Sequence, residues 1–168
     1  MVFASTVDGG SIWWVRSDGS SQPERILDAT ETVMSESFTP DGRTLAFWQV
    51  TAAAHGNPDI FTLPLDITDP DHPKPGKPEP FLATDKVELD PAFSPDGRWL
   101  AYSSNESGVF EVFVRPSPAS ASAGKWQISA GGGRYPLWSR SGKDFFSRPR
   151  IRASWSRTIQ PKAIRSPP

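Results

Sequence analysis

The chain has 168 residues, with 36% hydrophobic and 11% aromatic side chains, enough to bury the core of one domain and unlike a disordered composition. Its 18 basic and 19 acidic side chains nearly cancel, and the absence of cysteine excludes disulfides, zinc-thiolate sites and thiol nucleophiles. The charge is unevenly placed: residues 1–147 hold 12 basic and 19 acidic side chains, which argues against a nucleic-acid face there, whereas residues 148–168 hold six basic and none acidic.

The 18 prolines and 13 glycines suit short strands joined by many turns. In chain order, residues 1–35 read as a partial unit: "VFAST" is a second strand, "SIWWVR" a third and "ERIL" a fourth. No apolar run reaches the ~20 residues of a membrane helix. The opening "MVFASTVDGG" lacks the basic and apolar regions of a signal peptide, which leaves the compartment open.

Residues 36–89 form the second unit. "SESF" leads into the turn "TPDG", then come "TLAFWQV", "DIFTLPL", a proline-rich loop from Asp66 to Pro80, and "PEPFLA". Residues 90–133 repeat the scheme with "DPAF", the turn "SPDG", "WLAYSS", "VFEVFVRP" and "KWQIS". Residues 134–147 begin a fourth copy, in which "SRSG" is a weaker turn.

In each good turn proline sits at position i+1, where its fixed φ suits a type I turn. Aspartate tolerates i+2, and glycine takes the left-handed conformation that follows. Pro40, Asp41 and Gly42, and again Pro95, Asp96 and Gly97, are therefore structural turn residues, and Gly142 is their remnant in the fourth copy.

The strand after each turn is apolar without alternation, so both of its faces need cover. The turn glycines stand 55 and 45 residues apart. A period near ~40–50 residues with four strands each is the signature of a β-propeller. The expected fold is all-β: a partial propeller of four-stranded antiparallel blades, about three blades in an open arc. Neither end reads as a capping repeat, so the remaining blades, a protein partner or a second copy should cover the open faces.

"DPAFSPDGRWLAYSSNESGVFEVFVRP" resembles the WD40-like repeat of TolB-type propellers, a likeness that extends over roughly residues 1–147. "FEVFVRP…GKWQISAGGGRYPLWSRSGK" is similar, more narrowly, to the propeller repeats that follow the kinase domain of some bacterial serine/threonine kinases. An aromatic is expected there in place of Ser117, and no kinase part is present. After Phe146 the pattern stops. "SRPRIRASWSRTIQPKAIRSPP" has no strand alternation, and residues 148–168 read as a basic, disordered tail, of the kind a frameshift or a genuine extension would leave.

Catalytic chemistry is sparse. No Gly-x-Ser-x-Gly occurs, so the hydrolase nucleophile elbow is missing. His55 reads as a loop histidine. His72, with Asp66, Asp69 and Asp71, lacks the EF-hand spacing for calcium. "AGGGRYP" lacks the lysine and following helix of a phosphate loop. The tryptophans read as blade packing, and no cofactor or metal is expected. The functional expectation is a non-catalytic segment that binds a protein or senses a ligand. The alternative is a piece of the accessory propeller of a larger enzyme, a serine/threonine kinase or less readily a prolyl-oligopeptidase-like peptidase.

Overall fold

A computed structural model describes residues 1–51, 56–119, 124–142, 144–148 and 156–159. Apart from one 3-10 turn at Val7–Gly9, the described residues form only strands and loops, and no helix among them is long and apolar enough to cross a membrane.

Four antiparallel sheets follow one another along the chain. Sheet 1 holds β1 (Val2–Ser5), β2 (Ser11–Trp14) and β3 (Glu24–Asp28). Sheet 2 holds β4 (Val33–Phe38), β5 (Thr44–Val50), β6 (Pro58–Asp66), the two-residue β7 (Lys74–Pro75) and β8 (Glu79–Leu82), with β7 and β8 both paired to β6. Sheet 3 is β9 (Glu88–Phe93), β10 (Trp99–Ser104), β11 (Glu111–Pro116) and β12 (Trp126–Gln127). Sheet 4 is β13 (Arg134–Trp138), β14 (Asp144–Arg148) and β15 (Ser156–Ile159).

Side-chain alternation explains the stacking. On β5, Leu45 and Phe47 face sheet 1, in a cluster with Ile12, Ile26 and Val33, while Ala46 faces sheet 3. On β10, Leu100 and Tyr102 face sheet 2 and Ala101 faces sheet 4. Val112 and Val114 of β11 join Trp138 and Phe145 of sheet 4. The second-strand runs of sheets 2 and 3 are apolar on both faces because each of these sheets is a filling between two neighbours.

The hairpin turns carry their own hydrogen bonds. Gly42, Gly97 and Gly142 have φ of 71°, 72° and 67°, and each amide donates to the carbonyl three residues back at 2.9 Å. In the third copy the Ser94 hydroxyl donates to Asp96 Oδ1 at 2.6 Å and accepts from the Trp99 amide at 3.1 Å, while Asp96 accepts from the Arg98 amide. Thr39 and Asp41 repeat this around Thr44 and Arg43. In the fourth copy Ser139 still accepts from the Asp144 amide at 3.0 Å, and Ser141 takes the aspartate's place beside it. The turns also touch one another. A Cβ built on Gly97 would lie 3.1 Å from Pro40 Cδ, and one on Gly142 would lie 3.8 Å from Pro95 Cδ. The proline of one copy thus seats against the glycine of the next.

Two expectations need correction. The Asp66–Pro80 segment contains β7, because Leu65 and Asp66 extend β6 far enough to pair with Pro75 and Lys74. The basic tail contains β15, registered from Asp144↔Ile159 to Ser147↔Ser156. A four-residue strand of mixed polarity carries too little alternation to be legible in sequence, and here the open edge of β14 supplies its backbone partners. Residues 149–155 and 160–168 lie outside the described residues, and so does the rest of the expectation for the tail.

Gly97→Ala combines an unfavourable left-handed alanine with a tight approach to Pro40. It is expected to cost about 2 kcal/mol or more in chemical denaturation. Gly131 also has a left-handed φ, +82°, but nothing lies within 4 Å of a Cβ there. Gly131→Ala should therefore cost only the conformational part, about 1 kcal/mol.

Candidate functional site

The first strands of sheets 2, 3 and 4 lie side by side, β9 touching both β4 and β13. Each carries the same defect. Ser35 and Glu36 oppose Phe47, Asp90 and Pro91 stand between the partners of Ala101 and Ser103, and Tyr135 and Pro136 oppose Ser147. A bulge turns the strand and re-aims its side chains. Here three in series open a concave groove of about 550 Å³, walled by the bulges and by the turn prolines Pro40 and Pro95.

Two residues on this wall have a backbone that side chains rarely adopt. Asp90 has φ 56° and Tyr135 has φ 54°, the only non-glycine residues at positive φ among those described. The Asp90 carboxylate, itself buried, accepts two hydrogen bonds from Arg134, Nε to Oδ2 at 3.1 Å and a terminal nitrogen to Oδ1 at 3.2 Å. The guanidinium lies 4.8 Å over the Phe110 ring and 4.6 Å over the Tyr135 ring. This bidentate, aromatic-stacked pair ties sheet 3 to sheet 4 at the groove and fixes the side chains around the two strained positions.

Glu36 faces the same groove. It accepts a hydrogen bond from Trp48 Nε1 at 3.0 Å. Partial withdrawal from water, helped by the charge of Asp90, pushes its carboxyl up to about 7, with Trp48 and Arg134 pulling the other way. The residue as a whole stays exposed, so solvent screens its charge. The groove thus offers one carboxyl that titrates near neutrality, one locked ion pair, an accessible tyrosine ring and proline surfaces. It contains no serine-histidine or cysteine-histidine pair.

The sequence-predicted residues fall in several places. Pro40 and Pro95 line the groove, while Asp41, Asp96, Gly42, Gly97 and Gly142 build the turns beside it. His72 does not approach the groove wall. Its Nδ1 lies 2.5 Å from Glu24 Oε1, and Arg16 bonds Asp71, so the loop is clasped to sheet 1. Asp66 accepts from the amide and hydroxyl of Thr68, and Asp69 from the Asp71 amide. Among the described residues no three histidine or acidic side chains are grouped to hold a metal ion. His55 lies outside the described residues. Glu36, Asp90, Arg134 and Tyr135 escape sequence reasoning because a bulge shows only as a lapse in register once the strands are paired.

A second acidic position lies away from the groove. Glu88 is 1% exposed and accepts from the Thr84 hydroxyl at 2.6 Å, while its other oxygen has no partner among the described residues. Burial pushes its carboxyl up from 4.5 to about 7, and the charges of Asp59 and Glu106 add to this.

No family model matches the sequence, and no curated protein matches it. Solved structures do. A protein assigned as TolB from Agrobacterium tumefaciens superposes with a TM-score of 0.67 at 20% identity, covering 91% of this chain and 52% of its own. The fold is a TolB-type β-propeller. An oligogalacturonate lyase solved with manganese matches with a TM-score of 0.58 at 13% identity, over 95% of this chain and 43% of its own. A protein assigned as a 6-phosphogluconolactonase from Bacteroides uniformis matches at 0.54 and 14%, over 95% and 46%. The chain spans about half the length of the propellers it matches. Since some of these bear enzyme names and others do not, the fold by itself leaves catalysis undecided.

The Glu88 shift has a defined sign. Between about pH 4.5 and 7 the folded state holds a proton that the unfolded state has lost, so this group's stabilisation is complete at the acid end and lost as pH rises through 7. Thermal unfolding of Glu88→Gln and the parent protein should therefore diverge in the variant's favour from about pH 5 to pH 8. A constant difference across that range would show that Glu88 titrates normally.

Proposed function

We propose that the chain is a non-catalytic β-propeller segment that binds a protein or a small ligand in the groove between its bulged first strands. The observation that carries this reading is the pair of non-glycine residues at positive φ, Asp90 and Tyr135, on the wall of one concavity. Backbone strain of this kind costs roughly 1–3 kcal/mol per residue and persists where surrounding contacts over-determine it. The Asp90–Arg134 pair supplies those contacts, and its result is a fixed, accessible tyrosine ring beside proline surfaces.

The chemistry of the wall favours binding over turnover. A tyrosine face and prolines offer rigid contact area at low entropic cost. Arg134 is occupied by Asp90, Glu36 accepts from Trp48, and the groove lining holds no histidine to activate its serines. A titrating carboxyl still gives the groove a charge that depends on pH near neutrality, suited to sensing.

A photoreactive phenylalanine analogue at Tyr135 tests this in the native cell. It should form an adduct with a defined partner or ligand, whereas the same analogue at exposed Lys77, on the loop outside the groove, should not. Equal labelling at both positions, or none at Tyr135, would contradict the proposal. Purified protein that turns over peptide, ester or sugar substrates would contradict its non-catalytic part.

A further inference from the structure

We propose that Asp59 and Glu88 hold a divalent cation of the calcium or magnesium class at the joint between sheets 2 and 3. The site lies away from the groove and is independent of what the groove binds.

The inference starts from a departure from the repeat. Asp59 and Glu111 hold equivalent positions, each two residues before the third-strand aromatic, Phe61 or Phe113, that stacks on its second-strand neighbour. Glu88 stands two residues before the bulge residue Asp90, where the next copy has Gly133 before Tyr135 and the preceding copy has the buried Val33. In the later copy a single carboxylate is fully satisfied: Glu111 accepts from the Gly132 amide at 2.7 Å and from the Ser129 hydroxyl. The counterparts of those two donors are Val87 and Thr84, and both are diverted. The Val87 amide donates to Asn105 Oδ1 at 3.0 Å, and the Thr84 hydroxyl donates to Glu88 Oε1. Asp59 keeps one donor, the Thr51 hydroxyl, on Oδ2 at 2.8 Å.

Where the next copy buries one satisfied acid, this joint buries two, at 2% and 1% exposure, each with one oxygen held by a threonine. Their other oxygens, Asp59 Oδ1 and Glu88 Oε2, have no hydrogen-bond partner among the described residues. Neither has the hydroxyl of Tyr102, which is 0% exposed. Several observations bring these groups together. β6 and β9 are packed neighbours, and Asn57 Nδ2 donates to the Asp85 carbonyl at 3.1 Å, pinning the segments that lead into the two acids. The charge of Asp59 acts on Glu88, and that of Glu88 acts on Tyr102. Tyr102 sits two residues before Ser104, the register partner of Glu88, and so shares its face.

Buried charges are paired or coordinate metals. No ion pair among the described residues reaches Asp59 or Glu88, and Glu106 nearby is already bonded to Lys125. Two carboxylates balance the charge of one divalent ion. With the Tyr102 hydroxyl they form a set of hard oxygen donors, which suits calcium or magnesium, ions that complete their shells with water. Such a site needs no third acid, in keeping with the absence of a three-acid group among the described residues. Its ligands must be deprotonated, so the ion competes with the proton that Glu88 otherwise keeps up to about pH 7.

Isothermal titration of calcium chloride and of magnesium chloride into the EDTA-treated, dialysed 168-residue chain tests this. One of the two salts should bind at one ion per chain near about pH 8, and more weakly near about pH 5.5. Asp59→Asn and Glu88→Gln should each weaken binding by about tenfold or more, since even groups that only orient a metal's ligands are worth that much. Glu106→Gln should leave the affinity unchanged. The saturating ion should raise the thermal midpoint of the parent protein and not that of Glu88→Gln, with far-ultraviolet circular dichroism as the check on folding. A parent protein that binds neither ion overturns the proposal, because a proton or a buried water then completes the two oxygens. Binding that survives in both folded variants, or that is the same at both pH values, overturns it as well.

Discussion

Strands that are apolar on both faces cannot be satisfied by a single partner. That constraint organises the molecule. Leu45 and Phe47 need one sheet while Ala46 needs another, and Leu100, Tyr102 and Ala101 repeat the demand one sheet later. Burying a Leu or Phe side chain contributes roughly 1.5–3 kcal/mol, and most of the large buried side chains here lie between sheets. Stability is therefore shared between neighbours, as in other repeat architectures.

The turns convert this stacking into a fixed spacing. Each hairpin is closed by its own serine or threonine, and Gly97 and Gly142 leave room for the prolines Pro40 and Pro95 of the preceding copies. The first strands are thereby brought edge to edge, where Ser37 Oγ accepts from the Phe93 amide and Ala92 carbonyl accepts from Trp138 Nε1. With those strands held in place, their bulges come together as one groove. The local rule of the turn and the geometry of the candidate site are thus two consequences of one repeat.

The repeat was legible in the sequence because its signals are local. Pro95, Asp96 and Gly97 write out a turn, and "WLAY" writes out a strand without a wet face. The stubs β7 and β15 were not legible, since two or four residues carry no period and owe their state to a neighbouring edge. The groove was least legible. Glu36, Asp90 and Tyr135 look like ordinary strand residues until pairing shows that two of them oppose one partner. The Asp90–Arg134 bond spans 44 residues, and nothing in either neighbourhood announces it.

Neighbouring sheets share one core, and Phe93 sits where two of them meet. It belongs to sheet 3 yet lies in the cluster that includes Ala46, Ile60 and Phe81 of sheet 2. Truncation to alanine should cost about 3–5 kcal/mol. Native-state hydrogen exchange of Phe93→Ala should show protection falling together on β5 and β6 of sheet 2 and on β10 and β11 of sheet 3. Loss of protection confined to sheet 3 would contradict a shared core and leave each sheet a unit of its own.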